Sequence, residues 1–427
     1  MDFVDRFPLY PVIFCIVLYP LQAWVLLKCV PHRFRPHVLA VLNVAGLAVM
    51  CWLSGAKAVR FAAIVPYTKV ALASFAFYLG FLVANYLFLR LCKRGSVTWT
   101  VGLLLPIVFL AYIKYVSNLL NPFDALLAPL GFNHFESFFI GVSYLSFRLV
   151  ILAQEVRNDF AALPTIWEYL SFACFIPTLS VGPISPYTTF IHSLREPNKD
   201  ITPVSRSFLR ILVGFTKYLF LGSLVAQFTY AGLLRDGHPH APVDLFIAVV
   251  AYPIYLYCNF AGYCDMAIGA SGLLGIAVPE NFDRPFITRN IQEFWNHWHM
   301  TLSKWIRDFV FTPLSKSIMH RFGPASANHA IAFSILVAFT LVGMWHGNAT
   351  HFVVFGVLQG LGLAFVHYYT VWLKRRFGRD GFAAYRKNRS VKWCAIVLNF
   401  AYFAFSLFFF ANTWDQIEGI FKSLQWH

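Results

Sequence analysis

The stretch ENFDRPFITRNIQEFWNHWHMTLSKWIRDFVFTPL, Glu280 to Leu314, crowds amide, imidazole, indole and charge between long apolar runs. Threaded on a helix at about 100° per residue, Gln292, Trp295, Asn296, His299, Ser303 and Arg307 share one flank, while Phe294, Leu302, Phe309 and Val310 spread over the rest. Polar groups at membrane depth are costly unless they face protein or trapped water. The flank is therefore expected to line a cavity rather than lipid. His297 points about 200° away from His299, so at most one of the two faces that cavity.

The rest of the composition sets the class. Of 427 residues, 59% are hydrophobic and only 12% charged, with 46 phenylalanines, which excludes an ordinary soluble globule. The chain reads as an all-α polytopic integral membrane protein. A net charge of +15 would suggest nucleic acid in a soluble protein. Here the basic residues sit in short loops between apolar runs, the pattern that orients membrane helices, and no nucleic acid is implied. Eight cysteines form no C-x-x-C pair and fall mostly within apolar segments, so they read as packing residues rather than disulfides or metal ligands. The N-terminus, with Asp2 and Asp5, runs into an apolar segment without a small-residue cleavage pattern and is expected to stay as an anchor.

Apolar runs near 8–27, 38–54, 69–89, 99–120 and 135–155 are each expected to cross the bilayer. Lys28, Arg33 and Arg35 follow the first, and Arg90, Lys93 and Arg94 the third, which places both loops in the cytoplasm and the N-terminus outside; Lys57 and Arg60 pull weakly the other way. NPFDALLAPLGFNHF, with Pro122, Pro129 and Gly131, lies at the interface or dips in and out. From 166 to 190, Pro177, Gly182, Pro183 and Pro186 break the segment into a kinked or re-entrant element, which survives at depth only when buried against protein. Spans near 206–232 and 243–262 follow, and glycines 262, 269, 272 and 275 near Asp265 permit close helix approach. SKSIMHRFGPASANH reads as a polar connection. Ile331 to Val366 holds two helices interrupted at WHGNATH, and Lys374 to Lys392 reads as a basic cytoplasmic loop before a last span at 393–412 and an interfacial tail with Trp414 and Trp426. The count is ten to twelve crossings plus broken pieces. They form one membrane domain with peripheral helices over 1–160, a core over 161–372 and a basic, interfacial end over 373–427.

Two histidines stand out chemically. His346 follows fifteen uncharged residues, Ile331 to Trp345, and an imidazole there can exchange a proton with a substrate hydroxyl or simply bond a core carbonyl. Gly347 beside it favours the first reading, because a missing side chain opens space next to the ring. His299 either belongs to the polar flank's cavity or makes a packing hydrogen bond to Ser303 or a neighbour. Trp295, Trp298 and Trp305 read as wall and packing. Adjacent Arg307 and Asp308 diverge by about 100° on a helix and are expected to meet separate partners, with Arg307 suited to an anionic group. Asp265, amid small residues, should be paired, hydrogen-bonded or protonated, a structural role first. The basic run is topology first and a dock for an acidic partner or anionic lipid second. No G-x-S-x-G, HExxH or P-loop offers another mechanism.

Three separated motifs carry a resemblance: FAGYCDMAIGASGLLGI followed by VPENFDRPF, then FWNHWHMTLSKWIRDFVFTPL, then GMWHGNATHFVVFGVLQGLGLA. In this order and spacing the chain resembles the membrane-bound O-acyltransferase family, with FIGVSYLSFR and LSVGPISPY as weaker similar segments. The wording WHMTLSKWIRDFVF looks more like the D-alanyl-transferring members than the alginate-type polysaccharide acetylases, and His297 stands where relatives commonly carry arginine. No metal or tightly bound cofactor is expected, since the histidines lack nearby carboxylate or thiolate ligands at helical spacing. The resemblance implies a central funnel or tunnel and a cytoplasmic thioester donor, either an acyl carrier protein's phosphopantetheine arm or acyl-CoA. It further implies an acceptor hydroxyl of an envelope polymer reached from the other side of the cell membrane, and an accessory membrane-anchored acyl-relay protein as a partner. His346 takes the family's catalytic histidine position and His299 that of the second histidine. Trp295, Asn296, Ser303, Arg307, Asn348 and Asp265 are then expected along the tunnel.

The expected reaction has His346 as general base on the acceptor hydroxyl and a donor near His299, or an adjacent backbone N–H, stabilising the oxyanion. Acetyl transfer to an exported polysaccharide or peptidoglycan is the alternative within this chemistry. A proton-coupled transporter using Asp265 and the histidines is the alternative outside it, though such carriers often show inverted repeats and no second copy of either histidine region is found.

Overall fold

The computed structural model describes residues 12–55, 64–91, 96–116, 141–196, 203–235 and 238–424. Helices dominate them. In chain order these are α1 (Tyr19–Cys29), α2 (Arg35–Gly55), α3 (Ile64–Leu91), α4 (Ser96–Ala111), α5 (Val142–Arg157), α6 (Ile166–Ala173), α7 (Tyr187–Arg195), α8 (Val204–Phe215), α9 (Gly222–Ala226) and α10 (Tyr230–Leu233). After them come α11 (Pro242–Leu273), α12 (Ile291–His297), α13 (Met300–Ile306), α14 (Thr312–Phe322), α15 (Ala327–His346), α16 (Thr350–Lys387), α17 (Arg389–Ala411) and α18 (Trp414–Ser423). Against the ten to twelve crossings expected, seven helical stretches of the described residues are long and apolar enough to cross a bilayer, and Phe14–Cys29 and Thr100–Tyr115 are shorter apolar helices. The NPFDALLAPLGFNHF segment lies outside the described residues, as do Asp2, Asp5, Lys57, Arg60, Lys93, Arg94 and Trp426.

The chain divides into two compact units, one of Phe3–Phe215 with Tyr263–Pro279 and one of Thr216–Gly262 with Glu280–His427. In the first, the break expected between 166 and 190 is present. A capping box of Thr165 and Glu168 starts α6, a 3-10 turn spans Ile176–Thr178, and α7 resumes after Pro186. The backbone freed by the break is satisfied from buried side chains. The Asn43 amide donates to the Ser171 carbonyl (2.8 Å). The fully buried Arg148 guanidinium donates to the carbonyls of Phe172 and Phe175 (3.4 Å each) and to Thr178. The small residues of α11 serve as anticipated, since a Cβ on Gly269 would stand 2.7 Å from the Ser207 carbonyl oxygen of α8. Of the described cysteines, Cys15, Cys51, Cys174, Cys258 and Cys264 are buried and unbridged, whereas Cys29 and Cys394 are exposed.

In the second unit, α15 and α16 pack so closely that a Cβ on Gly343 would lie 2.3 Å from the Phe352 carbonyl oxygen, and one on Gly356 2.4 Å from that of Phe339. Two expected connections are helical instead. The polar run after Leu314 is mostly α14, with Pro313 in its first turn and Gly323 (φ 78°) ending it. The basic stretch is the end of α16, bent at Gly378 (φ 65°), followed by α17 from an Asn388 cap. Lysine, arginine and alanine are good helix formers, so charge alone did not end the helix. Around these helices packs an aromatic core that includes Tyr252, Phe294, Trp298, Phe355, Phe403 and Phe408.

Candidate active site

The stretch that organises the sequence is not one helix. Asn290 caps α12 through its side chain, accepting from the Glu293 N–H (2.9 Å). The helix stops at Trp298, which is extended (φ −111°, ψ 129°), and His299 takes the left-handed region (φ 44°, ψ 50°) before α13 begins. The cause lies upstream. Phe282 pairs with Trp298 in an antiparallel bridge, the Asp283 N–H donates to the His297 carbonyl (2.9 Å), and the Met300 N–H donates to the Asn281 carbonyl (3.0 Å). These bonds draw residues 297–300 out of the helix and hold a non-glycine residue at positive φ, a conformation that costs about 1 kcal/mol or more. Such strain is found where surrounding structure imposes it, often at functional sites.

Asn281 is the centre of this turn. Its Oδ1 accepts from the Thr301 N–H (3.1 Å) and the Thr301 hydroxyl (2.9 Å), and it lies 3.2 Å from His299 Nδ1. The His299 ring is buried, edge-on to Phe260 with centroids 4.7 Å apart, and its Nε2 has no hydrogen-bond partner among the described residues. His299 lies outside the candidate spans, and burial pushes its pKa from 6.5 down to about 3, so the ring is neutral at working pH.

His346 ends α15, which sets the negative end of that helix beside its ring. The ring is edge-on to Phe410 at 4.8 Å and is also flanked by Phe352 and Phe355 at 6.2 Å each. The indole of Trp345 links the two histidines: its centroid is 4.6 Å from the His346 ring and 6.5 Å from the His299 ring. Gly347 does not open space beside His346. A Cβ there would meet the Phe352 ring at 2.8 Å, so the glycine lets that ring close in. His351 fixes the start of α16 by bonding the Phe409 carbonyl of α17 (2.8 Å).

The polar flank is divided by the helix break. Gln292, Trp295, Asn296, Ser303 and Arg307 line a half-open cavity of about 190 Å³ together with Ile335, Phe339 and Leu363, but His299, expected among them, does not line it. The His299 ring does not bond Ser303, whose hydroxyl donates to the Trp298 carbonyl (3.3 Å) and whose N–H donates to the His299 carbonyl (3.0 Å); the ring's packing contact is with a neighbour, Asn281. The Trp295 N–H donates to Gln359 Oε1 (2.9 Å). Arg307 and Asp308 do touch, at 3.4 Å, each about half exposed, because arginine is long enough to fold back over its neighbour where the helix widens into a π turn. Asn348 is exposed in the break between α15 and α16, apart from the cavity lining. Asp265 belongs to the first unit and pairs with Arg210 (3.0 Å), as the cost of an isolated charge requires. His297 faces away, to Asp283. Asn281, Trp345 and Gln359 escaped the sequence reading; the one available signal was an asparagine in the same polar stretch.

These histidines sit in a chain whose motifs have known counterparts. The profile of the membrane-bound O-acyltransferase family matches residues 99–411, and the chain belongs to that family. It is 34% identical over 245 residues to a teichoic acid D-alanyltransferase of Streptococcus thermophilus, covering 56% of this chain and 58% of that protein. It is 30% identical over 287 residues to a teichoic acid D-alanyltransferase of Bacillus subtilis, covering 64% and 69%. A probable alginate O-acetylase of Azotobacter vinelandii is 27% identical over 271 residues, covering 62% and 52%. The match thus spans under two thirds of the first of these relatives. All three are named as acyl-transferring enzymes, and the D-alanyl wording noted in the sequence agrees with the first two.

Proposed function

We propose that this protein is a membrane O-acyltransferase that moves an acyl group, D-alanyl by preference, from a cytoplasmic thioester to a hydroxyl of a cell-envelope acceptor. The observation that carries the reading is the pair of imidazoles against one indole, Trp345, in a chain of this family. His346 is the general base. It takes the hydroxyl proton as the oxygen attacks the thioester carbonyl, the O–C bond forms, and the positive charge on the ring is stabilised by the end of α15. As the tetrahedral intermediate collapses, the C–S bond breaks and the proton passes from His346 to the departing thiolate. Ester and thiol leave, and the ring is neutral again. Burial makes the His299 ring too weak a base for this step, and a backbone N–H serves the oxyanion.

The cavity beside Trp295 and Arg307 is suited to the donor arm, with apolar walls that keep water from the thioester and a guanidinium for an anionic group. The donor is a phosphopantetheine carrier protein or acyl-CoA, the protein sits in the cell membrane with its N-terminus outside, and a membrane-anchored relay protein carries the acyl group onward. Acetyl transfer is the second reading, favoured by the similarity to alginate O-acetylases. Family membership gives the transporter reading no support. Incubating the purified protein with labelled D-alanyl carrier protein and labelled acetyl-CoA in competition separates the two. Consumption of the D-alanyl thioester is expected, and exclusive use of acetyl-CoA would overturn the D-alanyl assignment.

A further inference from the structure

We propose that Asn281 is a positioning residue that locks His299 in its Nδ1–H tautomer and so presents Nε2 as a hydrogen-bond acceptor to an N–H or O–H of the bound substrate. The role given to the substrate rests on the acyl-transfer reading above; the tautomer rests on geometry alone. A backbone N–H can only donate, and the Thr301 N–H points at the Asn281 side-chain atom 3.1 Å away, so that atom is the oxygen and not the amide nitrogen. The same oxygen lies 3.2 Å from His299 Nδ1, which must therefore carry the proton. In a neutral ring the other nitrogen is then bare. Nε2 is buried without a hydrogen-bond partner among the described residues, and buried polar atoms in native structures are ordinarily paired. A lone pair kept in that state, next to the indole that His346 also touches, suits a ligand's donor group.

The rings against His299, Phe260 and Trp345, are uncharged. The titratable groups on adjoining elements include His346, Glu280 beside Asn281, the Asp283–His297 pair across the bridge, Glu293 on α12, Lys304 on α13, Cys258 on α11 and Lys217 over Tyr257. The hydrogen bonding of the His299 ring nitrogens is set by Asn281 at Nδ1. Burial keeps the ring neutral, which an uncharged amide partner permits and a carboxylate would oppose.

Two variants of the full-length protein test this. Asn281→Leu removes the acceptor at similar volume, and kcat/KM is expected to fall roughly tenfold or more at every pH. Asn281→Asp keeps acceptors for Thr301 and Nδ1 but favours the imidazolium, so Nε2 is protonated at low pH. Its activity should approach wild type only on the alkaline side, its acid limb displaced upward. A purely structural asparagine would give no such pH-dependent recovery. The idea is overturned by Asn281→Leu activity within about twofold of wild type, or by an Asn281→Asp profile parallel to wild type. Imidazole 15N shifts in labelled protein, assigned with His299→Gln, give a readout that needs no turnover. A protonated Nδ1 and bare Nε2 are expected, and a protonated Nε2 contradicts the assignment. If wild type consumes no thioester while the shifts report the Nδ1–H form, the acyl-transfer reading has failed and the tautomer stands.

Discussion

His299 shows how much a single backbone angle changes the meaning of a side chain. Periodicity placed it beside Ser303 and Arg307 on one flank. At φ 44° it leaves that flank, and its ring turns into a buried cluster with Phe260 and Asn281. Its burial also has a consequence for stability. A ring held near 3 in the folded protein and near 6.5 when unfolded takes up a proton only on unfolding within that window. Its contribution is complete above about 6.5 and is lost progressively as pH falls toward about 3. Melting temperature in detergent should therefore drop more steeply between those values in wild type than in His299→Gln, which cannot titrate. Parallel curves for the two proteins would show that the ring does not carry this linkage. Both candidate histidines were singled out in the sequence, but the neighbours that set their surroundings, Asn281 and Trp345, were not, because they reach the two rings through folding rather than spacing.

At the scale of elements, apolar length and proline punctuation located the long apolar helices, the break after α6 and the interruption at WHGNATH, though not α14 in the polar run after Leu314. What they missed was the break between α12 and α13. A bridge from Phe282, sixteen residues before Trp298, is invisible to a period of 3.6. The basic end of α16 was misread as a loop for the opposite reason, since charge marks topology and not the loss of helix. The α15–α16 contact is the element that holds His346 in place. Gly343→Ala would drive a methyl into the backbone of α16, and overpacking of this kind costs about 1–3 kcal/mol. A lower melting temperature and reduced transfer are expected, while Gly419→Ala on α18, with nothing within 4 Å, should behave as wild type. Equal stability of the Gly343 variant and wild type would mean the helices separate without cost.

Across the whole molecule, the 59% apolar composition and the three spaced motifs fixed the class, and the family profile over 99–411 agrees with them. The donor and acceptor were beyond reach, because the relatives named here include both teichoic acid D-alanyltransferases and a probable alginate O-acetylase. The claim on which everything else depends is that His346 moves the proton in acyl transfer. Its most direct measurement is single-turnover transfer of labelled acyl group from D-alanyl carrier protein to a hydroxyl acceptor, by wild type and His346→Ala matched for folding in detergent. Transfer by wild type with a loss of about a hundredfold or more in the variant is the predicted result; equal transfer by both would contradict the account.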